Sequence, residues 1–330
     1  MRKALKSLHP VVRLLIARFG MGLLTLLAVS IVIFSGIKLL PGDFAEATLG
    51  QNVTPQVAAE LRTALGLDQP AIMAYWHWLT GVIRGDFGTS FAGLGSGDSR
   101  PVAALILPRL SNTAFLATVT AVTAVPIAVV LGVLTALYRN TVFDRTVNFM
   151  SLGAVSLPEF FIAYVLVLLF SVIWPLFPAI ANISPSMPFS GRLTASVLPS
   201  MTLTFVIMAQ MLRMTRAAII GVLSAPFIEM ATLKGQSKWR IIIVHALPNA
   251  IAPIVTVVAF NLAYLVAGVV VVESVFVYPG VGQLMVDSVM ARDIPVVQAC
   301  ALIFAAAYIG LNLLADIASI VSNPRLLYPR

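Results

Sequence analysis

Long apolar stretches, each able as a helix to cross a hydrocarbon layer about 30 Å thick, constrain this 330-residue chain more than any other feature. Six can be drawn: Met21–Leu40, Thr113–Leu137, Phe149–Trp174, Val197–Leu212, Ala250–Val272 and Val296–Val321. The strands of a membrane β-barrel are about 10 residues long and alternate polar with apolar, and these runs do neither. Only 10% of the residues are charged, where a soluble domain carries about 25%. The expected fold is therefore an all-α polytopic membrane protein with six transmembrane helices. Arg2, Lys3, Lys6, Arg13 and Arg18 precede the first run as in a signal peptide. That run is too long and lacks a small-residue cleavage site, so the helix is expected to be retained.

The net charge of +8 would raise the question of nucleic acid in a soluble protein, but in a membrane protein its distribution carries the information. With the N-terminus inside, the connections on that side hold fourteen Lys and Arg, and those on the other side hold seven against nine acids. Basic residues mark the cytoplasmic side, so both termini are expected in the cytoplasm and no nucleic-acid partner is expected. The organisation expected is a cytoplasmic N-terminus and first helix over 1–40, a periplasmic segment over 41–110, and a five-helix core over 111–322. A cytoplasmic loop over 213–249 interrupts the core, and a short tail covers 323–330. The 41–110 segment is too long for a passive loop. Thr54, Pro55 and Gly66 bracket one short helix, and Ile72, Tyr75, Trp76, Leu79, Val82 and Ile83 describe a second, amphipathic one with its aromatics at headgroup depth.

Catalytic and cofactor signatures are sparse. None of the five lysines follows a glycine, so there is no phosphate-binding loop of the G-x-x-x-x-G-K type. His9, His77 and His245 have no partner at metal-ligand spacing, and Cys300 lies in an apolar run as a core residue. No catalytic, cofactor-binding or metal-binding residue is assigned. Ionisable residues deep in spans are functional suspects; Glu159, after Pro158 at mid-depth of the third run, and Asp316, near the cytoplasmic end of the sixth and expected to pair locally, are the two. Glu159 and Asn261, a polar residue within the fifth run, are expected to line a substrate path.

The 213–249 loop is the most informative segment. Ser224 is placed to cap a helix with Pro226 in its first turn and Glu229 near its positive end, and Gly235 is placed to end it in the left-handed conformation. Ser237 is placed to cap a second helix, Lys238–Leu247, broken by Pro248. Phe227, Ile228, Met230 and Leu233 make the first helix apolar enough to enter a partner's groove.

Here the chain resembles the permeases of bacterial ABC importers, whose E-A-A…G loop carries a coupling helix. Glu229-Met230-Ala231, then Gly235, then Leu247-Pro248-Asn249 match that loop. The resemblance narrows to the dipeptide, oligopeptide and nickel permeases through Leu233-Lys234-Gly235, His245 to Ala250 with Pro253, and the block Glu273-Ser274-Val275-Phe276-Val277-Tyr278-Pro279-Gly280-Val281-Gly282 followed by Arg292-Asp293-Ile294-Pro295. Pro41-Gly42-Asp43, Leu65 to Pro70, Gly85-Asp86-Phe87-Gly88-Thr89-Ser90 and the tail Asn323-Pro324-Arg325 further resemble the first, B-type permease of such systems. Departures are Pro226 where an aspartate is usual, Met230 and Thr232 in place of small or basic residues, and Glu159 at a position that is normally uncharged.

The resemblance implies a type I importer architecture, in which this subunit pairs with a homologous C-type permease above two cytosolic ATPases that bind ATP and Mg. A periplasmic solute-binding protein delivers a di- or oligopeptide or a peptide-like solute. The chain itself is expected to be neither an enzyme nor a cofactor carrier. It implies an ATPase contact made by Phe227, Glu229, Met230, Ala231, Lys234 and Gly235. Glu273, Pro279, Gly280 and Gly282 are expected to form a re-entrant outer turn with a structural or gating role, and Arg292 and Asp293 to touch the binding protein or pair with each other on the surface. The alternative reading is a proton-coupled secondary transporter using Glu159, which would need an inverted repeat and a fuller relay.

Overall fold

The computed structural model describes residues 10–39, 63, 69–92, 100–184 and 186–321. Its helices are α1 (Pro10–Lys38), α2 (Ala71–Ile83), α3 (Val102–Leu137), α4 (Val142–Ser156), α5 (Glu159–Val167, continued by a π turn, Leu168–Ile173), α6 (Phe189–Leu223), α7 (Pro226–Leu233), α8 (Lys238–Arg240, continued by a π turn, Ile241–Ala246), α9 (Leu247–Val275), α10 (Val281–Met290) and α11 (Ile294–Val321). Among the described residues five continuous helices are long and apolar enough to cross a membrane, and α4 with α5 forms a bent pair that can serve as the sixth crossing. The helix expected around Thr54 to Gly66, the Pro41-Gly42-Asp43 and Leu65-Gly66-Leu67-Asp68 motifs and the Asn323-Pro324-Arg325 tail lie outside the described residues, Thr63 excepted.

Three expected boundaries change, each for a reason that lies in prolines. The third run is not one helix: α4 and α5 meet at 104°. Leu157, ahead of Pro158, is extended at φ −92°, ψ 137°, as the residue before a proline prefers. Pro158 follows at ψ 144°, so Glu159 opens a new helix instead of lying inside an old one. Pro199, by contrast, stays within α6, which runs on through Arg213 and Arg216 to Leu223. Pro248 does not break the second loop helix either. It falls in the first turn of α9, just after a π turn whose wider coil makes room for the ring. The expected loop 213–249 therefore contracts to α7 and its short flanks.

The centre of the bundle is α6, most of whose apolar stretch is buried, whereas that of α1 is almost bare. It packs between α3 and α9. The face that α3 turns inward reads Leu116, Thr120, Ala124, Ala128, Gly132 and Ala136, one residue every four. That spacing lays small side chains in one stripe and lets two backbones approach. At Gly132 a Cβ would lie 2.7 Å from Thr215 Cβ and 2.9 Å from the Leu212 carbonyl oxygen, so alanine there would push α3 off α6. Leu198, Leu203, Ile207 and Met211 of α6 and Leu265, Val269 and Val272 of α9 complete the main core.

The outer segment is held to this frame through α2. On α2, Tyr75 Oη lies 2.9 Å from Ser30 Oγ of α1, and the Tyr75 and Trp78 rings pack on Phe34, while Ile72, Met73 and Trp76 stay exposed. This is the amphipathic helix that the aromatic spacing predicts. Arg18 of α1 forms an ion pair at 3.1 Å with Asp316 of α11, so Asp316 pairs across helices and not locally.

Candidate functional site

The two ends of α9 carry the residues that the motifs single out. At its C-terminal end the chain leaves the helix, turns over Phe276 to Gly280 and enters α10. Glu273, on the last turn of α9, is fully buried. Its carboxylate accepts hydrogen bonds from Thr113 Oγ1 at 2.6 Å, from the Gly282 amide at 2.7 Å and from the Gln283 amide at 3.3 Å, and its own carbonyl accepts from the Tyr278 amide at 2.9 Å. Those amides lie in the first turn of α10, where backbone donors are free and the helix dipole favours an anion.

A second layer closes round this carboxylate. Thr113 Oγ1 also accepts from the Val281 amide at 2.9 Å. Asn112 Nδ2 donates to the Pro279 carbonyl at 2.9 Å, Arg192 Nη2 donates to Asn112 Oδ1 at 3.1 Å, and the Arg192 guanidinium stacks 4.6 Å from the Phe115 ring centre. Tyr278 Oη donates to the Asn112 carbonyl at 2.9 Å; burial pushes this phenol up to about 12, which keeps it a donor at any physiological pH. The two glycines are required by space: a Cβ on Gly280 would overlap the Glu273 carboxylate, and one on Gly282 would stand 2.6 Å from Val270 Cα. Glu273, Pro279, Gly280 and Gly282 are thus brought together in one knot with α3 and α6, and α3 supplies partners, Asn112 and Thr113, that the sequence reading does not name.

Near this knot, Arg292 and Asp293 part company. Arg292 is exposed and sits at φ +53°. Asp293 is 2% exposed, and it accepts a hydrogen bond from Ser90 Oγ and others from the amides of Phe91 at 3.1 Å and Ala92 at 3.3 Å. It is an internal anchor for the Gly85 to Ser90 motif, not a surface contact and not a partner of Arg292, because its oxygens are already turned inward onto the chain's own donors.

At the opposite end, α7 projects between α6 and α8. Gly235 ends it at φ +72°, as expected, with its amide bonded to the Thr232 carbonyl at 2.9 Å and the Gln236 amide to the Ala231 carbonyl at 3.3 Å. Ser224 is not the cap: it closes α6, its hydroxyl bonded back to the Ile220 carbonyl at 2.9 Å, and Ala225 occupies the cap position. The expected apolar face divides in two. Ile228 and Ala231 turn inward onto Ile241 and Ala246, so Ala231 is small because it packs within this chain and it is no exposed contact residue. Phe227, Met230 and Leu233 are exposed at 44%, 55% and 76%, and Glu229, Lys234 and Gly235 are exposed with them. His245 Nε2 lies 2.8 Å from Gln236 Oε1 and ties the end of the α7 turn to the π turn ahead of α9.

A bidentate ion pair braces the same end. Arg216 of α6 reaches Asp144 of α4, Nε to Oδ1 and Nη2 to Oδ2 both at 2.8 Å, and the Asn140 amide donates to Oδ2 at 3.0 Å. Thr141, with Asp144 three residues on, is a legible helix start, but the guanidinium that meets it comes from 72 residues away.

In the middle of the bundle the two expected path residues differ. Asn261 is fully buried between α9 and α6, donating to the Val257 carbonyl at 2.8 Å, and so does not line an open path in this structure. Glu159 is half-buried at the α4–α5 break, its two carboxylate oxygens 3.3 and 3.4 Å from where a Cβ on Gly268 of α9 would be.

A bundle of spanning helices with an exposed helical hairpin at one end is the architecture of a membrane permease. Residues 128–328 match the model of the binding-protein-dependent transport system inner membrane component family, and residues 11–117 match the N-terminal part of such membrane components; the chain belongs to this family and is a multi-pass permease subunit of an ABC importer. It is 36% identical over 304 residues, 92% of this chain and 95% of the relative, to the glutathione transport system permease protein GsiC of Salmonella typhi, and as similar to that of Escherichia coli O1:K1. It is 33% identical over 315 residues, 96% of this chain and 99% of the relative, to a Brucella abortus protein provisionally named as a peptide transport system permease.

Proposed function

We propose that this permease carries peptides or peptide-like solutes and works as one half of a membrane core completed by a homologous C-type permease. Two cytosolic ATPases, which bind ATP and Mg, dock on α7, and a periplasmic binding protein delivers the solute at the Glu273 end. Both termini and α7 then face the cytoplasm, in keeping with the distribution of Lys and Arg. No cofactor is assigned to this chain.

The observation that carries this reading is the split face of α7. Its inner side is packed on its own chain, so the short helix moves as a rigid unit with α6 and α9, while Phe227, Met230 and Leu233 stand out of the bundle beside Glu229 and Lys234. Apolar side chains at such spacing on a short helix suit a groove in a partner. Closure of the ATPase pair would push α7, and the helices attached to it would rotate to open the path alternately to each side. The peptide assignment rests on the relatives named for glutathione and peptide transport. Family membership removes the ground for the proton-coupled alternative.

Extraction in mild detergent, followed by solute-stimulated ATP hydrolysis, tests the proposal. Gly235→Val places a β-branched residue at φ +72°, where nothing but the backbone opposes it. The expected result is recovery of a second permease and ATPases with wild type, and loss of stimulation in the variant. A chain recovered alone that transports without ATP would overturn it.

A further inference from the structure

We infer that Glu159 is the solute-recognising carboxylate of this permease, holding a primary ammonium such as a peptide's amino terminus; this rests on the peptide-importer reading above. The other carboxylates in the spanning helices are all satisfied within the chain. Asp144 holds Arg216, Asp316 holds Arg18 and Glu273 collects Thr113 and two backbone amides. Glu159 has no hydrogen-bond or ion-pair partner among the described residues. An ionised carboxylate at membrane depth needs a cation or water, and no Lys or Arg among the described residues is paired with it. No Lys or Arg occurs in α5 or α9, Arg192 of α6 is engaged with Asn112 and Phe115 and Arg216 with Asp144, and Arg145 of α4 and Arg213 of α6 are exposed. Within the chain Glu159 has the start of its own helix α5, where free amides favour an anion, and a cation on the solute can complete its pairing.

The surroundings suit a small cation. Gly268 presents no side chain to the carboxylate, and a Cβ there would stand 3.3 and 3.4 Å from its two oxygens and 3.4 Å from Leu203 Cδ2. On the other side Leu157 and Pro158 are extended and exposed, so no helix covers the break. The last carbonyls of α4 end there without a following helical turn, and a helix C-terminus carries partial negative charge. A carboxylate without a partner, beside a negative helix end and uncovered on the side of the break, suits an ammonium group, which donates three hydrogen bonds from a point charge.

The test uses the purified complex of both permeases and the ATPases, without the binding protein, so that recognition by this chain is read directly. Radiolabelled trialanine is bound at equilibrium and displaced by unlabelled trialanine or by N-acetyltrialanine. Wild type should prefer the free amine by roughly tenfold or more, the loss expected for one charged hydrogen bond. Glu159→Gln, nearly the same shape, should erase that preference, and Glu159→Asp should keep part of it. A preference retained by the Gln variant overturns the inference, as does its absence in wild type. Failure of the Gln variant to assemble with the partner permease also overturns it, since Glu159 would then serve the subunit contact. Uptake of trialanine by the complete importer is measured alongside: uptake without binding to the permease complex removes only this inference, whereas no uptake of peptide at all removes the peptide reading with it.

Discussion

The two ends of α9 are built on opposite principles. At the Glu273 end the carboxylate and the Asn112, Thr113 and Tyr278 side chains are paired with the chain itself, and Gly280 and Gly282 leave no space for a single added carbon. At the α7 end the chain satisfies its backbone with the Gly235 turn and one buried face, then leaves Phe227, Met230 and Leu233 unburied. One end is complete in the isolated subunit and the other is not. A buried hydrogen-bonded carboxylate holds three elements at fixed distance because any displacement strands donors away from water; an exposed apolar face stores its free energy for a surface that arrives later. Under the proposed mechanism, a helix built this way would transmit a push received at one end to a joint held firm at the other.

That contrast predicts a steep ordering of substitutions. Glu273→Ala strips the acceptor from Thr113 Oγ1 and from two backbone amides in a fully buried site, and should cost about 3–5 kcal/mol. Thermal unfolding of the detergent-extracted protein reads this as a large fall in Tm, and an unchanged Tm would mean the knot does not hold the turn. Gly280→Ala drives a methyl into the same carboxylate and should cost about 2–3 kcal/mol by the same assay. Asp144→Asn keeps the shape and removes the charge opposite Arg216, which is partly exposed, so about 1–2 kcal/mol is expected after allowing for solvent screening. Raising the salt concentration should weaken this effect and leave that of Gly280→Ala unaltered, and an equal response of both would erase the distinction.

At the α7 end the ordering reverses between stability and function. Met230→Ser with Leu233→Ser should move the stability by less than about 0.5 kcal/mol, the range of surface changes, because both side chains are exposed. Solute-stimulated ATP hydrolysis in the assembled importer should nevertheless fall severalfold. Ala231→Leu provides the control: it overfills the packing onto Ile241 and Ala246, so it should cost about 1–3 kcal/mol of stability and lower Tm accordingly. If the Met230 and Leu233 changes lower Tm as much as Ala231→Leu does, α7 has no free face and the comparison fails.

Much of this was legible before any coordinates. Run length dictated a helical membrane bundle, glycine at position 235 dictated a left-handed stop, and the Glu273 to Gly282 block marked a turn, because each depends on local covalent geometry or on transfer of apolar groups from water. Pro158 broke a helix and Pro199 and Pro248 did not, since a proline disrupts a helix only as far as its neighbours cannot absorb the missing hydrogen bond. The inward face of α7 was invisible for a related reason: at i and i+3, Ile228 and Ala231 look as apolar as Phe227 and Met230, and only the position of the π turn decides which pair faces the bundle.

The sequence by itself determined that this chain crosses a membrane as helices, what class of importer it belongs to and where its hairpin turns, for these follow from the period and length of its apolar runs and from short contiguous motifs. Only the tertiary structure decided that Asp293 is an internal anchor, that Asp144 meets Arg216 and that Glu159 is left with no partner beside Gly268. Charge partners in a bundle come from distant helices, and the packing of α3 and α9 on α6 decides which of them meet.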